Sequence, residues 1–246
     1  MTLKYLSHAF LLGITLLLPM KISASSFSKQ QISDLNSYFK DFLLKNPEII
    51  ESSLIALQEK KISSQKESQA KALKDKKDLI FQNSNDPVLG NVNGSDHIVV
   101  FLDPFCGHCR AFKKTLSEAM ERNQDLKVTI KDFPILGSVA LLGSKAMLAA
   151  HKQGFYAQMQ DMIYKAPPTL NEKEIFQFAK TIPGLNLERF KQDFKSDSLK
   201  NQIMATFKLA ESLGISATPT LIIHDEVIEG GIPLEVLEKT IKKESL

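Results

Sequence analysis

Cysteine is nearly absent from this chain of 246 residues: Cys106 and Cys109 are the only two. A structural disulfide between them would close a loop too small to stabilise much, because loop-closure entropy grows with loop length. Zinc is also disfavoured. A structural site wants four ligands, usually a second C-x-x-C or a histidine pair; no second pair exists, and His97, His151 and His224 are scattered along the chain. Covalent haem attachment needs histidine directly after the second cysteine, where Arg110 stands. Charge of one sign is scarce too: a formal net charge of +3 is too small to argue for nucleic acid. What remains for the pair is chemistry of its own, a redox-active dithiol.

The first apolar run, Ala9 to Met20, falls short of the roughly 20 residues that a membrane-spanning helix needs. With Lys4 before it and small residues after it, residues 1–24 read as a signal peptide cleaved after Ala24 or Ser25, an uncleaved membrane anchor being the alternative. No cysteine follows the run, so lipid attachment is not available. Loss of this segment removes Lys4 and Lys21 and leaves a net charge of +1. The expected location is periplasmic, with envelope attachment the other option. A lone C-x-x-C in an oxidising compartment is not innocent.

From Phe27 to Phe81 there is no glycine and a single proline, Pro47. Leu35, Phe39, Phe42 and Leu43 fall at helical spacing, with Ser33 as a candidate cap; Asn46 and Pro47 open a second helix carrying Ile50, Leu54 and Leu57. From Gln58 to Asp78 apolar residues almost vanish, which predicts a charged connecting helix. Too little apolar surface is present for an independent core. The segment 27–81 is therefore an extension lying on the main domain, or an oligomerisation stalk that meets a second copy.

An α/β domain follows over residues 88–246. "HIVVFLD" (His97–Asp103) has the apolar, β-branched character of a buried strand; "CRAFKKTLSEAMER" continues as a helix, and "DLKVTIKDFPIL" as a second strand. Strand, helix and strand in this order make a β–α–β unit. A helical insertion over about 138–213, broken at "APPT" and "IPGLN", precedes two strands joined at Asp225–Glu226 and a closing amphipathic helix.

Cys106 falls where the first strand ends and the helix begins. First-turn N–H groups and the helix dipole favour negative charge there, and the thiolate is the reactive form. Cys109, one turn on, is within disulfide reach but shielded, so Cys106 is the nucleophile and Cys109 the resolving thiol. His108, between them, can donate a hydrogen bond or positive charge to the thiolate, which stabilises the reduced form and makes the disulfide more oxidising; otherwise it is a plain exposed residue at a helix start.

"FLDPFCGHC", the β–α–β unit around it and "SATPT" near the last strands resemble the thioredoxin fold, and "PILGSVALLGSKAMLAAHKQGFYAQMQDMIY" resembles the bacterial DsbA-like thiol–disulfide oxidoreductases, whose helical insertion matches Ser138–Leu213. Segment 27–81 is similar to the helical extension of DsbA-like proteins that dimerise or trimerise. The resemblance implies a thioredoxin fold with a helical insertion, preceded by an N-terminal helical extension. It implies a cis-proline at Pro219 facing the cysteines, and substrate contacts from Thr218, Pro219 and Gly107. It also implies that disulfides are formed or isomerised in exported, cysteine-containing proteins. No metal or organic cofactor is needed, since the dithiol carries the two electrons. The implied partners are a membrane or thiol redox partner and further copies of the chain through the N-terminal helices.

Three details depart from the DsbA pattern. Gly107–His108 matches the eukaryotic protein disulfide isomerases where the DsbA type has Pro–His. Asp103 and Thr218 resemble the DsbC-like isomerases. The buried acid of thioredoxins, six residues before the first cysteine, is here Val100. Proton transfer from Cys109 then needs water or another group; Asp103 is one candidate, although a strand-end role suits it better. Oxidase and isomerase both stay open, and a non-catalytic periplasmic chaperone with a legacy disulfide is the reading from another class.

Overall fold

The computed structural model describes residues 27–243. The expected signal peptide lies outside the described residues. The chain divides into two compact units, Met1–Gln58 and Glu59–Leu246.

In the first unit, α1 (Lys29–Lys45) starts one turn before the sequence suggests. Ser28, not Ser33, is the N-cap; its hydroxyl accepts from Gln31 N while the Gln31 side chain accepts from Ser28 N, a reciprocal capping box. Asn46 closes the helix, donating to the Phe42 carbonyl. Pro47 then opens α2 (Pro47–Asp75), which continues through Gln58 without a break, so the second and third expected helices are one. No residue of α1 is buried, and Phe39, Leu44 and Leu54 stand more than half exposed.

The second unit is built on a five-stranded sheet in the order β1-β3-β2-β4-β5. After the short α3 (Lys77–Phe81) come β1 (Val88–Gly90), β2 (Asp96–Leu102), α4 (Gly107–Arg122) and β3 (Leu126–Asp132). β2 and β3 are parallel, as a crossover helix requires, and every other pairing is antiparallel. The insertion holds α5 (Ser138–His151), α6 (Tyr156–Lys165), α7 (Glu172–Thr181), α8 (Leu187–Lys195) and α9 (Asp197–Ser212). Two of these helices are capped by asparagine, Asn171 and Asn186. The chain returns as β4 (Thr220–Ile223), β5 (Glu226–Glu229) and α10 (Leu234–Lys242). The turn between β4 and β5 is His224–Asp225, one residue earlier than the sequence suggests, with His224 at φ 55°.

Because strand side chains alternate, the sheet feeds two cores. Ile98, Val100, Leu102, Val128 and Ile130 point to the face covered by α4, α5, α6 and α10. Val99, Phe101 and Ile222 point to the other, where Leu73 of α2, Ile80 of α3, Phe133 and Leu209 of α9 cover them. Lys131 also lies on this second face, fully buried. Its ammonium is paired with the Asp86 carboxylate and donates to the Leu79 carbonyl. The pair ties α3 and the start of β1 to the middle of the sheet.

Candidate active site

β2 ends at Leu102, and the four residues to Cys106 form a tight connection into α4. Asp103 organises it. Buried completely, its carboxylate accepts from Phe105 N (2.7 Å) on one oxygen and from Leu136 N (2.8 Å) on the other, while its carbonyl accepts from Cys106 N (3.2 Å). Burial pushes the Asp103 carboxyl up and these backbone donors oppose it. With both oxygens engaged by backbone donors, Asp103 holds the turn.

Cys106 is thereby set as the N-cap of α4, its backbone extended (φ −72°, ψ 121°) and its carbonyl accepting from Arg110 N. Arg110 braces the connection from the other side. Its guanidinium donates to Pro104 O (3.0 Å) and to Ala166 O (3.1 Å) in the loop after α6, and lies 4.9 Å from the centre of the Phe105 ring. Gly143 of α5 fits beneath: a Cβ there would meet Ile163, Phe105 and Pro104 at 3.0–3.2 Å.

Both cysteines are free thiols. Cys106 keeps 7% of its surface exposed and Cys109 none. The Cys106 thiol donates to Thr218 O at 3.3 Å, the Thr218–Pro219 peptide bond is cis, and Pro219 O accepts from Gly230 N. Cys106, Cys109 and Thr218–Pro219 thus come together. Burial pushes the Cys109 thiol up to about 12, against the Asp103 backbone and Thr218. Gly107 and His108 are exposed on the first turn. A Cβ at Gly107 would meet nothing within 4 Å.

A buried polar cluster beneath the dithiol was not legible in the sequence. Asp132, the last residue of β3, pairs with Leu102 in the parallel register. Its Oδ2 accepts from Tyr156 Oη of α6 (3.1 Å). Burial pushes its carboxyl up to about 8, opposed by Tyr156 and Ser144. Tyr164, also of α6, is buried with its phenol pushed well up, first by burial and then by Cys109 and Asp132. The one signal available was Ser144 among the small and apolar residues of the buried face of α5. Among the described residues no cluster of histidine, cysteine and acidic side chains could hold a metal.

A family model described as Thioredoxin matches residues 82–243. Disulfide bond formation protein D of Bacillus subtilis is 23% identical over 169 residues, covering 64% of this chain and 76% of that protein. Among solved structures, a linker-deletion mutant of Proteus mirabilis ScsC is 25% identical with a TM-score of 0.64, covering 90% of this chain and 98% of that one. The thiol–disulfide exchange protein alpha-DsbA2 of Wolbachia pipientis is 28% identical with a TM-score of 0.65, covering 74% and 97%.

Proposed function

This chain belongs to the thioredoxin family, as a DsbA-like thiol–disulfide oxidoreductase, and we propose that it forms and rearranges disulfides in exported proteins through Cys106 and Cys109. The observation that carries this reading is the asymmetry of the pair. Cys106 caps a helix beside the cis-proline loop and keeps a small part of its surface open, and Cys109 is enclosed with its thiol pushed up to about 12. An external disulfide meets Cys106 alone. Its thiolate attacks one sulfur, the substrate's other sulfur leaves with the electron pair, and a mixed disulfide forms. Cys109 then attacks Cys106, the substrate departs as a thiol, and the Cys106–Cys109 disulfide is left. The same steps in reverse oxidise a substrate dithiol. Thr218 and Pro219 would align an extended substrate segment beside Cys106, with Gly107 open above them. His108 would act on the thiolate as substrate enters.

The chemistry belongs outside the cytoplasm, where disulfides persist and where residues 1–24 would direct the chain. Turnover in one direction requires a redox partner, a membrane protein or a small thiol, to reset the dithiol. The exposed apolar side chains of α1 support assembly with further copies through the extension, which sedimentation of the mature protein would reveal.

The test is recovery of activity from scrambled ribonuclease and from reduced ribonuclease, with Cys106→Ser as control. Recovery from the scrambled form that depends on Cys106 identifies an isomerase; recovery from the reduced form alone identifies an oxidase. A Cys106→Ser protein as active as the parent would overturn the reading in favour of a non-catalytic chaperone.

A further inference from the structure

At the end of the sheet away from the cysteines, two cavities adjoin. His97 stands near the start of β2, about 17 Å along the strand from Leu102 and the cysteine turn. The first cavity, about 690 Å³, lies between the β4–β5 hairpin and α10, and its apolar wall is Ile223, Ile228, Ile232 and Val236. The second, about 420 Å³, is bounded by α3, the starts of β2 and β3 and the hairpin turn, and is lined by Lys77, Lys127 and His97. His224, Asp225 and Lys243 border both. One space is apolar and the other cationic, so together they suit a molecule divided in the same way. We infer that this end of the sheet binds a single-chain fatty carboxylate, its headgroup among Lys77, Lys127 and Lys243 and its tail along Ile223, Ile228 and Val236. The site is independent of the dithiol and of its proposed chemistry.

Backbone conformation points to the same place. Among the described residues, the non-glycine positions with positive φ are His224 (55°) and Lys243 (56°), and both stand on the shared wall. Glycine would suit each better. His224 is the first residue of a two-residue hairpin turn, and Lys243 ends α10 in the left-handed conformation. Strain of this kind gathers at functional sites, and here it sets two nitrogen-bearing side chains around one space. His224 Nε2 donates to Ile241 O at 2.9 Å, which ties the turn to α10 and fixes the wall between the cavities.

Charge and shape select the ligand class. In the second cavity three lysines face one acid, Asp225, while Glu226 borders only the first. Lys131, further along β3, is paired with Asp86 and adds no free charge. His97 sits beside Lys127 in the parallel register and packs edge-on against Phe81 at 5.1 Å; burial, with Lys127 and Lys131 nearby, holds it neutral down to about 4. An anionic headgroup is therefore favoured over a cationic one. The apolar wall consists of branched aliphatic side chains, which suit a flexible hydrocarbon chain rather than the stacking that a flat ring system requires. Each volume lies within the roughly 300–1,000 Å³ usual for small-molecule sites.

Calorimetric titration of the full chain with hexanoate, octanoate and decanoate, kept below micelle formation, tests the site. Affinity should rise about fifteenfold for each added pair of methylenes. Decyltrimethylammonium, which has the tail with the opposite charge, should bind at least about tenfold more weakly than decanoate. Lys77→Gln combined with Lys127→Gln should weaken decanoate about tenfold and keep the chain-length trend. Val236→Phe, which fills the apolar cavity, should flatten that trend. The inference stands only if both variants change binding in these ways. Absence of decanoate binding, equal affinity for the cationic amphiphile, or binding that the variants leave unchanged would overturn it, the last by placing the ligand on other apolar surface such as that of α1. If Val236→Phe fails to fold by circular dichroism, the lysine variant and the cationic amphiphile decide.

Discussion

Replacing Asp132 by asparagine should stabilise the fold, and by more as the pH rises. The native structure holds the Asp132 proton up to about 8, whereas the unfolded chain releases it near the ordinary value of 3.8. Between those values folding takes up a proton, so the acid's contribution, fully present below 3.8, is lost as pH rises through about 8. At about 1.4 kcal/mol per pH unit, the whole interval is worth about 6 kcal/mol, and the stretch from pH 5 to pH 8 about 4 kcal/mol. Against a typical domain stability of about 5–15 kcal/mol this is a large share. Asparagine keeps an acceptor for Tyr156 and adds a donor toward Ser144, but has no proton to lose. His97, which burial holds neutral down to about 4, acts in the opposite direction; both proteins carry it, so it cancels in the comparison. Urea unfolding of the reduced parent and of Asp132→Asn at pH 5 and pH 8 makes the measurement. The gap between them should widen by about 4 kcal/mol toward the higher pH. Parallel pH dependences, within about 1 kcal/mol, would refute the reasoning, because Asp132 would then be ionised in the folded state.

Lys131→Met should cost about 3–5 kcal/mol, since it leaves Asp86 buried without its cation, and adding Asp86→Leu should restore most of that loss; a denaturation double-mutant cycle checks both. Gly143→Ala should cost about 1–3 kcal/mol and slow the first reaction of Cys106, because the new methyl presses on Phe105 and Pro104 at 3.2 Å. Gly107→Ala, with open space around it, should stay within about 0.5 kcal/mol of the parent.

The dithiol and its setting were legible because their signals are local. A continuous β-branched run marks β2, the cysteines fall where it must end, and turn residues punctuate the insertion at Ala166–Thr169 and Ile182–Gly184. The cap of α1 was misplaced because Ser28 and Ser33 both suit the role, and only Ser28 has Gln31 three residues on to answer it. The break expected near Gln58 is absent because charged residues of good helix propensity continue a helix as well as apolar ones do. Lys131 and Asp132 were the hardest to read. At the end of a strand, "KD" has the look of a solvent-facing pair. Yet α3 and Asp86 come from one side of the sheet and α5 and α6 from the other, and together they enclose both side chains. Burial of that kind is decided by segments tens of residues away, and no local pattern records it.

The lid that Leu73 and Ile80 form over Phe101 bears on where the catalytic unit can be severed. The recognisable family portion starts at residue 82, after both of them. A protease cutting at that point would strip the cover from Val99, Phe101 and Leu209 and remove the Leu79 carbonyl from Lys131. The remnant would keep every residue of the cysteine site and still present a wet apolar sheet face prone to self-adhesion. The physical edge of the working unit therefore lies within α2, upstream of the edge that sequence similarity draws.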